Sequence, residues 1–347
     1  MRYHQLGRTG LFVSELCLGC MTFGGKGFWT VVGQQPQELV NQIVKRSLDA
    51  GVNFIDTADV YSEGESEKLL GVALRELGVK RSDVVIATKA FGRVGGGPND
   101  MGASRGHLMD AIDASLERLQ LDHVDLYQIH GWDVVTPIDQ TLRALDDIAR
   151  SGRVRYIGVS NWQAWQMMKA NGFADKHGWL RFESVQAYYS IAGRDLEREV
   201  VPMVQDQQMG VLVWSPLAGG FLADKTRDDG KQAEGTRRAQ FDFPPIDRSR
   251  AQQCIAAMRE IARARGAAGE APSVARVALA YVLAKPWVTS VIFGAKTLEQ
   301  LEDNLQAPSL KLTADELATL DAASKLPDEY PGWMLARQGG TRVPAPK

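Results

Sequence analysis

The sequence contains 347 residues, of which 44% are apolar and 24% are charged. A chain of this length and composition can bury a large hydrophobic core, so we expect an ordinary globular protein. Its 40 lysines and arginines against 42 aspartates and glutamates give a formal net charge of −2, and the basic residues are spread along the chain. We therefore expect neither nucleic acid nor an anionic membrane as a partner, because both bind clustered positive charge.

The N-terminus and the cysteines favour a cytoplasmic protein. The first five residues lack the basic and then apolar order of a signal peptide, and no run approaches the ~18 apolar residues that a membrane helix needs. Cys17, Cys20 and Cys254 form an odd set without metal-ligand spacing. We expect reduced structural thiols and no metal site.

The N-terminal residues are predicted to form a β-hairpin. Residues 3–6 and 11–14 are strand-like runs, and the stretch between them begins with Gly7 and ends with Gly10. Glycines at these places suit a tight turn. A hairpin of this kind can plug the bottom of a barrel.

A regular alternation of strands and helices follows. The predicted strands cover residues 16–19, 53–57, 84–89, 124–130, 154–160, 184–189, 211–215 and 290–293. The predicted helices cover residues 37–50, 65–77, 104–119, 138–151, 164–175, 196–208, 273–283 and 298–305. Eight strands that each lead to a helix favour a single (β/α)8 TIM-barrel domain over residues 1–347 rather than an open doubly wound sheet.

Two stretches depart from this alternation. Residues 217–272 separate the seventh strand from its helix and include a further predicted helix at 251–265. A connection this long in a compact domain is usually functional or disordered. After the eighth unit, an extra helix is predicted at 314–324, and the tail at 325–347 is either a lid over the barrel mouth or a disordered end.

Groups able to handle protons follow three successive strands. The second strand leads to Asp56 and Tyr61, the third ends at Lys89 and the fourth ends at His130. Each residue alone has an ordinary structural explanation, such as a helix cap or a solvated strand end. Catalytic groups of parallel α/β barrels sit at such strand ends, so their joint placement favours a catalytic site.

The four groups suit the protonation of a carbonyl oxygen while hydride arrives at the carbon. We expect the Lys89 ammonium to stabilise the Tyr61 phenolate and to lower the pKa of Tyr61 from its usual value of ~10. Asp56 is expected to pair with Lys89, and His130 to donate a hydrogen bond to the substrate oxygen. Tyr61 is then the general acid for reduction and the base for alcohol oxidation.

These residues carry a resemblance to a known family. The motifs at Asp56 and Tyr61, at Ala87-Thr88-Lys89 and at Gln128-Ile129-His130 resemble the catalytic tetrad of the aldo-keto reductase superfamily over about residues 1 to 325. The pattern is nearer to the bacterial and potassium-channel β-subunit branches than to the aldose reductase branch. Segments similar to the family's cofactor motifs follow in the same order, namely 158–161, 185–186, 214–217 and 294–304.

The resemblance implies NADP(H) as the cofactor, bound without a Rossmann domain. It implies that Ser160, Asn161 and Gln186 hold the nicotinamide amide, that Trp214 stacks on the ring and that Arg237 contacts a phosphate. It also implies that residues 215–222 cover the pyrophosphate and that the adenosine end is held by Lys296, Gln300 and Asn304. Further cofactor contacts are implied for Gly19, Met21, Ser215, Pro216, Leu217, Gly219, Gly220, Leu222, Lys225, Gly294 and Asp303.

Aromatic residues in separate loops favour a substrate with an apolar body. Four of them follow the first, third and fourth strands, and one lies in the tail: Phe28, Trp29, Phe91, Trp132 and Trp333. Apolar walls with a few placed polar groups are the usual make-up of a small-ligand pocket. We expect a ketone, an aldehyde or the matching secondary alcohol.

Two other functions compete with this prediction. The same fold can serve as an NADP(H)-sensing regulatory or binding subunit with slow turnover, as the channel β-subunits do, because fold does not settle function. A metal-dependent barrel lyase or isomerase is disfavoured, because His130 alone among five histidines is predicted at a strand end. The sequence leaves the physiological substrate and the oligomeric state open, a homo-oligomer included.

Overall fold

The structure is a computed structural model that describes residues 1–223 and 237–342, the side chains of residues 340–342 excepted. Its first two strands, β1 (Tyr3–Gln5) and β2 (Phe12–Ser14), pair antiparallel as the predicted hairpin. The other eight strands form a closed parallel barrel. They are β3 (Leu16–Gly19), β4 (Phe54–Asp56), β5 (Val85–Ala90), β6 (Val124–Ile129), β7 (Val154–Ser160), β8 (Phe182–Tyr188), β9 (Gly210–Trp214) and β10 (Ser290–Phe293).

Helices surround the barrel and follow its strands. They are α1 (Gln37–Asp49), α2 (Glu65–Glu76), α3 (Arg105–Leu119), α4 (Ile138–Arg150), α5 (Ala164–His177), α6 (Val200–Gln207), α7 (Arg237–Gln240), α8 (Arg248–Ala267), α9 (Val274–Leu283), α10 (Leu298–Leu305), α11 (Ala314–Ala323) and α12 (Gly332–Arg342). The strand order β10-β3-β4-β5-β6-β7-β8-β9 closes β3 against β10. The predicted (β/α)8 TIM barrel is therefore confirmed.

Local sequence explains where several helices begin. Ser104, Ser273 and Thr297 each precede a helix and accept a hydrogen bond from the backbone N–H three residues later. Thr313 does the same at the start of α11, where the Glu316 carboxylate in turn accepts a hydrogen bond from the Thr313 N–H. Such caps satisfy N–H groups that have no partner within the helix, so they fix the first turn.

The hairpin closes the N-terminal end of the barrel. Leu6 is fully buried in the barrel interior among residues that include Phe54, Leu126 and Leu212. The turn needs a glycine at Gly7, which has φ +56° and where a Cβ would lie 2.2 Å from the Glu183 carbonyl oxygen. With this end filled, the C-terminal ends of the strands remain for a functional site.

Two segments differ from the expected elements. The helix expected at 196–208 is shorter, because Glu197 accepts hydrogen bonds from Tyr189 and Arg194 and closes a 3₁₀ turn at Asp195–Glu197 before α6. In the tail, residues 332–342 form α12. An ion pair of 2.6 Å between Arg198 and Glu329 attaches the start of the tail to the segment after β8. No described helix is both long and apolar enough to cross a bilayer.

Candidate active site

Four predicted side chains meet at the C-terminal ends of β4, β5 and β6. Lys89 is fully buried, and its Nζ donates hydrogen bonds to Asp56 Oδ2 at 2.5 Å, to the Thr57 carbonyl at 2.7 Å and to the Tyr61 hydroxyl at 3.2 Å. The His130 ring centroid lies 5.7 Å from that of Tyr61. The strand order makes these strands neighbours, which brings together groups that are 74 residues apart in the chain, from Asp56 to His130.

Lys89 remains a cation in this cluster. Burial by itself lowers the pKa of Lys89, but the charge of Asp56 and the contacts with Asp56 and Tyr61 raise it, and the net shift is upward. A carboxylate at 2.5 Å compensates the buried ammonium, and the two remaining N–H groups also have partners. The site therefore holds a fixed positive charge against the Tyr61 oxygen.

The expectation that the pKa of Tyr61 is lowered is wrong for this structure. Burial raises the pKa of Tyr61, and the opposing effect of Lys89 does not overcome it. Asp56 also raises this pKa, because its negative charge disfavours a second anion nearby. The Tyr61 hydroxyl is therefore a neutral proton donor at physiological pH.

His130 is neutral at physiological pH. Burial, followed by the nearby charge of Lys89, lowers the pKa of His130 to about 3. A neutral imidazole carries one N–H donor and one acceptor nitrogen. His130 can therefore donate a hydrogen bond to a substrate oxygen without adding a second positive charge.

Two glutamines complete the surroundings of Asp56. Gln128 and Gln186 each donate from Nε2 to Asp56 Oδ1, at 3.0 and 2.9 Å, and Gln186 also reaches Gln128 Oε1 at 3.2 Å. Gln128 is not among the residues that the sequence predicted. The available signal was its position two residues before His130, because alternate residues of an extended segment point to the same side. The resemblance implies that Gln186 holds the nicotinamide amide, and in this structure its own amide nitrogen donates to Asp56.

A second hydrogen-bonded chain joins β7 to β9. Asn161 donates from Nδ2 to the His130 carbonyl and to Ser160 Oγ, both at 3.0 Å. Trp214 donates from Nε1 to Asn161 Oδ1 at 3.1 Å. The predicted residues Ser160, Asn161 and Trp214 therefore lie together beside His130, although Trp214 already packs against Phe243 with parallel rings 5.8 Å apart.

The segment after β9 forms a tight turn. Ser215, Ala218, Gly219 and Gly220 all have positive φ angles, and Ser215 Oγ accepts from the Gly219 N–H at 2.8 Å. A Cβ on Gly219 would lie 2.3 Å from the Phe243 carbonyl oxygen, so only glycine fits there. The N–H groups of Ala218, Gly219 and Gly220 all donate within the segment, so the turn is fixed by its own hydrogen bonds. The predicted residues Pro216, Leu217 and Leu222 belong to this segment.

Arg238 holds this turn in place and was not predicted. Its guanidinium is buried and donates to the Ala218 carbonyl at 2.8 Å and to the Pro244 carbonyl at 2.7 Å. It also forms an ion pair of 3.0 Å with Asp242. The neighbouring Arg237 lies elsewhere, with its guanidinium carbon 5.9 Å from the Phe241 ring centroid.

The other predicted cofactor residues have distinct surroundings. Gly294 and Lys296 are exposed before α10, Gln300 accepts a hydrogen bond from the Lys296 N–H at 2.9 Å, and Asn304 donates to the Gly294 carbonyl at 3.2 Å. Asp303 instead pairs with Arg276 at 2.7 Å.

Three further residues belong to the same prediction. Gly19 ends β3, where a Cβ would lie 2.8 Å from Ile292 Cγ2, and the half-buried Met21 follows it. Lys225 lies outside the described residues. Gly19 therefore lies at the end of β3, the barrel strand next to β4, and Met21 lies just beyond that end.

An aromatic wall extends from Tyr61 to Trp214. The rings of Trp29 and Tyr61 lie 5.2 Å apart, and Phe28 links Trp29 to Phe241 at 5.8 and 4.9 Å. Phe241 packs on Phe243, which stacks on Trp214. The sequence predicted Phe28 and Trp29 here but not Phe241 and Phe243, because the contact joins loops that are about 200 residues apart.

The remaining predicted pocket residues contact other parts of the chain. Phe91 packs against Gly131, where a Cβ would approach its ring to 2.9 Å. Trp132 packs edge-on against Trp162 at 4.8 Å. Trp333 lies in α12 with its ring 6.0 Å from Tyr330, and no ring contact among the described residues links it to Tyr61.

Asp59, two residues before Tyr61, is a buried acid outside the predicted set. It is 2% exposed, and neither carboxyl oxygen has a hydrogen-bond partner among the described residues. Burial and then the charge of Glu67 raise the pKa of Asp59 to about 8, whereas Arg118, the Val60 backbone and Lys89 act in the opposite direction. Asp59 is therefore mostly protonated at neutral pH.

Asp59→Asn should make the protein relatively more stable as the pH rises. Because the folded-state pKa of about 8 lies above the usual aspartate value of 3.8, the stabilisation that Asp59 contributes to the wild type is fully present below about pH 4 and is lost as the pH rises through 8. The variant lacks this titration. Its free energy of unfolding relative to wild type, measured with urea, should increase by at least ~1 kcal/mol between pH 5 and pH 8.

Asp133→Asn is the matched control. Four hydrogen bonds from Ala103, Val135 and Thr136 outweigh burial and lower the pKa of Asp133, so its carboxylate is already ionised at pH 5. Its loss of stability should be constant from pH 5 to pH 8. Parallel stability curves for Asp59→Asn and wild type would contradict the assignment of a protonated Asp59.

Comparisons with known proteins agree with this geometry. A family model described as Aldo/keto reductase family matches residues 15–325. An uncharacterised oxidoreductase named YrpG from Bacillus subtilis is 36% identical, covering 96% of this chain and 97% of the relative. A versiconal hemiacetal acetate reductase from Aspergillus parasiticus is 33% identical, covering 92% and 96%. A probable voltage-gated potassium channel subunit beta from Arabidopsis thaliana is 36% identical, covering 88% and 91%. This chain therefore belongs to the aldo/keto reductase family.

Proposed function

We propose that this protein is an NADP(H)-dependent oxidoreductase that interconverts an aldehyde or ketone and the corresponding alcohol. The observation that carries the proposal is the buried cluster in which Lys89 contacts both Asp56 and the Tyr61 hydroxyl, next to a neutral His130. This arrangement offers a proton, a positive charge and a hydrogen-bond donor at one point. The reductase and oxidoreductase names of its relatives support the same chemistry.

Each member of the cluster has a separate task. The nucleotide, when bound, supplies the hydride for the carbonyl carbon. Tyr61 donates its hydroxyl proton to the carbonyl oxygen as that oxygen becomes an alcohol, and it takes the proton back in the reverse direction. Lys89, 3.2 Å from the Tyr61 oxygen, stabilises the phenolate that remains. His130 donates an N–H to the substrate oxygen and orients it.

The residues present fit a dinucleotide. The turn at 215–220 has a glycine where a side chain would collide with the backbone, and the Arg238 guanidinium holds the turn by donating to the Ala218 carbonyl. Gly219 and Gly220 leave the backbone of this turn without side chains, which permits the close approach of a phosphate. Lys296 is an exposed cation before α10 and is suited to a 2′-phosphate. Stacking of the nicotinamide on Trp214 and holding of its amide by Ser160 and Asn161 are parts of this proposal.

An assay of NADPH oxidation with a panel of carbonyl compounds tests the function. We expect rapid, carbonyl-dependent oxidation, and the panel should also be run with NADH. A regulatory subunit is the second candidate, since the Arabidopsis relative is named as a channel subunit. Tight retention of nucleotide through purification with negligible turnover on every carbonyl would favour that role instead.

Preference for NADP(H) over NAD(H) should depend on Lys296. We expect Lys296→Met to raise the dissociation constant of NADPH by ~10-fold and to leave that of NADH nearly unchanged, because one charge-assisted contact is lost. Titration of each nucleotide into the protein, followed by fluorescence, measures both constants. Lys311→Met, an exposed lysine after α10 that donates to the Pro308 carbonyl, serves as the control. Equal affinities of the wild type for the two nucleotides would remove the basis for this proposal.

The aromatic wall should favour bulky carbonyl substrates. Trp29→Ala should raise the KM of a bulky aromatic aldehyde by ~5- to 30-fold, because ring contacts beside Tyr61 are lost, and should leave methylglyoxal nearly unaffected. Trp132, which the sequence also predicts in the pocket, offers a comparison through Trp132→Ala. Because Trp132 packs on Trp162, its effect should be the smaller of the two. An equal response of both substrates to Trp29→Ala would contradict an apolar pocket.

A further inference from the structure

Arg237 differs from Arg238 and Arg248, two other arginines of the long connection after β9. Arg238 is buried with three acceptors, and Arg248 pairs with Asp242 at 2.7 Å, as Arg238 also does. Arg237 forms no ion pair within the described part of the chain, and its Nε is buried without a hydrogen-bond partner. A half-buried cation without a counter-charge among the described residues is unfavourable, so this position suits an anion from outside the chain.

The location of Arg237 indicates which end of the site it serves. Its guanidinium lies over the Phe241 ring, and Phe241 contacts Phe28, which leads through Trp29 to Tyr61. Burial lowers the pKa of Arg237, and the Tyr61 side chain acts on this pKa in the opposite direction. Arg237 therefore lies at the reacting end of the site, on the aromatic wall.

The aromatic wall and the Arg237 guanidinium together indicate which class of ligand the site can bind. Phe28 is 55% exposed, so the wall is open to solvent and leads inward to the Tyr61 hydroxyl. A flat apolar group along Phe28 and Trp29 would carry its carbonyl to Tyr61 and leave a substituent near Arg237. Guanidinium groups bind carboxylates through two parallel hydrogen bonds, which gives both affinity and orientation.

We propose that Arg237 is a specificity-determining residue that binds a carboxylate on an aromatic carbonyl substrate. This inference rests on the proposed carbonyl chemistry and adds a substrate class to it. Arg237 neutralises the anionic substituent and orients the substrate, while the carboxylate itself does not react. The contact differs from the one expected from the sequence, in which Arg237 binds a phosphate of the cofactor.

The test compares acids with neutral substrates of the same shape. The substrates are 3- and 4-carboxybenzaldehyde, each measured beside its methyl ester, with wild type, Arg237→Met and Arg237→Lys. For at least one isomer, Arg237→Met should raise the KM of the acid by at least ~10-fold, as for a lost hydrogen bond to a charged group. The KM of the matching ester and the NADPH dissociation constant should stay within about 2-fold, which is a difference of under ~0.5 kcal/mol. Arg237→Lys should retain part of the preference for the acid.

Arg248→Met is the matched control, because it removes a positive charge from the same segment at an exposed position. It should leave the acid-to-ester ratio of KM values unchanged. An equal rise in KM for acid and ester would overturn the inference, and so would a ~10-fold rise in the NADPH dissociation constant without a change in that ratio. The first result makes Arg237 a packing residue and the second makes it a nucleotide contact. Failure of the wild type to reduce either acid while it reduces other carbonyls would also overturn the inference and leave the proposed function standing.

Discussion

Tyr61→Phe should lower turnover by ~100-fold or more while the affinity for the nucleotide stays nearly unchanged. Phenylalanine keeps the ring contacts with Trp29 and His130 but removes the only hydroxyl that Lys89 contacts among the described residues. The reaction then lacks the group that gives and takes the proton. Steady-state kinetics with a carbonyl substrate and a fluorescence titration with NADPH measure the two quantities separately.

Tyr127→Phe is the control for loss of a buried tyrosine hydroxyl. Tyr127 lies on β6, is fully buried and donates to the Leu108 carbonyl at 3.3 Å, outside the Lys89 cluster. It should keep most of the wild-type turnover. If Tyr61→Phe retains more than about a tenth of wild-type turnover, well above the loss expected for an acid–base group, Tyr61 is not that group.

The pH profile checks the same assignment. Because the pKa of Tyr61 is raised, the phenol stays protonated, and carbonyl reduction should keep its rate until the pH approaches the usual tyrosine value of ~10. Because the pKa of His130 is lowered to about 3, the reduction rate should show no ionisation near pH 6.5. Alcohol oxidation needs the phenolate, so its rate should rise with pH. A reduction rate that falls through pH 6.5 would show that His130 titrates there.

Lys89→Met should destabilise the protein by ~3–5 kcal/mol as well as abolish most of the activity. The substitution leaves the Asp56 carboxylate buried without its cation, and Gln128 and Gln186 contribute only neutral donors. Urea unfolding followed by circular dichroism measures the loss. A variant within about 1 kcal/mol of wild type, which is the range of exposed ion pairs, would show that the pair does not behave as a buried one.

The double variant Asp56→Asn with Lys89→Met separates folding from chemistry. Removal of both charges together is far less costly than removal of one, because no uncompensated charge stays in the barrel. The double variant should therefore regain a large part of the lost stability. Its turnover should remain low, because no cation then faces the Tyr61 oxygen. Recovery of activity together with stability would mean that Lys89 only supports folding.

Much of the fold follows from sequence patterns alone. The alternation of strands and helices predicted the barrel, and four of its elements, including β7 and β10, begin and end at the predicted residues. The motifs at the ends of β4, β5 and β6 predicted the cluster of Asp56, Tyr61, Lys89 and His130. Patterns suffice here because the period of apolar residues and the position at a strand end are local properties of the chain.

The tertiary structure alone decided how the site is connected. Gln128 and Gln186 meet on Asp56 because closure of the barrel directs β4, β6 and β8 toward the same interior, a contact across as many as 130 residues. Arg237 lies over the Phe241 ring and Arg238 binds the turn at 215–220, and the contacts of these segments with Phe28 and Ala218 depend on packing between separate loops. No local pattern encodes such contacts.

Burial also decided the charges in the site. From the sequence, Lys89 was expected to lower the pKa of Tyr61, because two groups of known chemistry were placed side by side. The structure raises that pKa, since burial in the barrel mouth outweighs the neighbouring ammonium, and it likewise raises the pKa of Asp59. The sequence by itself determined which groups are present and at which strand ends they lie. The depth at which each is buried, and therefore its protonation, was decided only by the folded chain, because desolvation depends on every residue packed around the group.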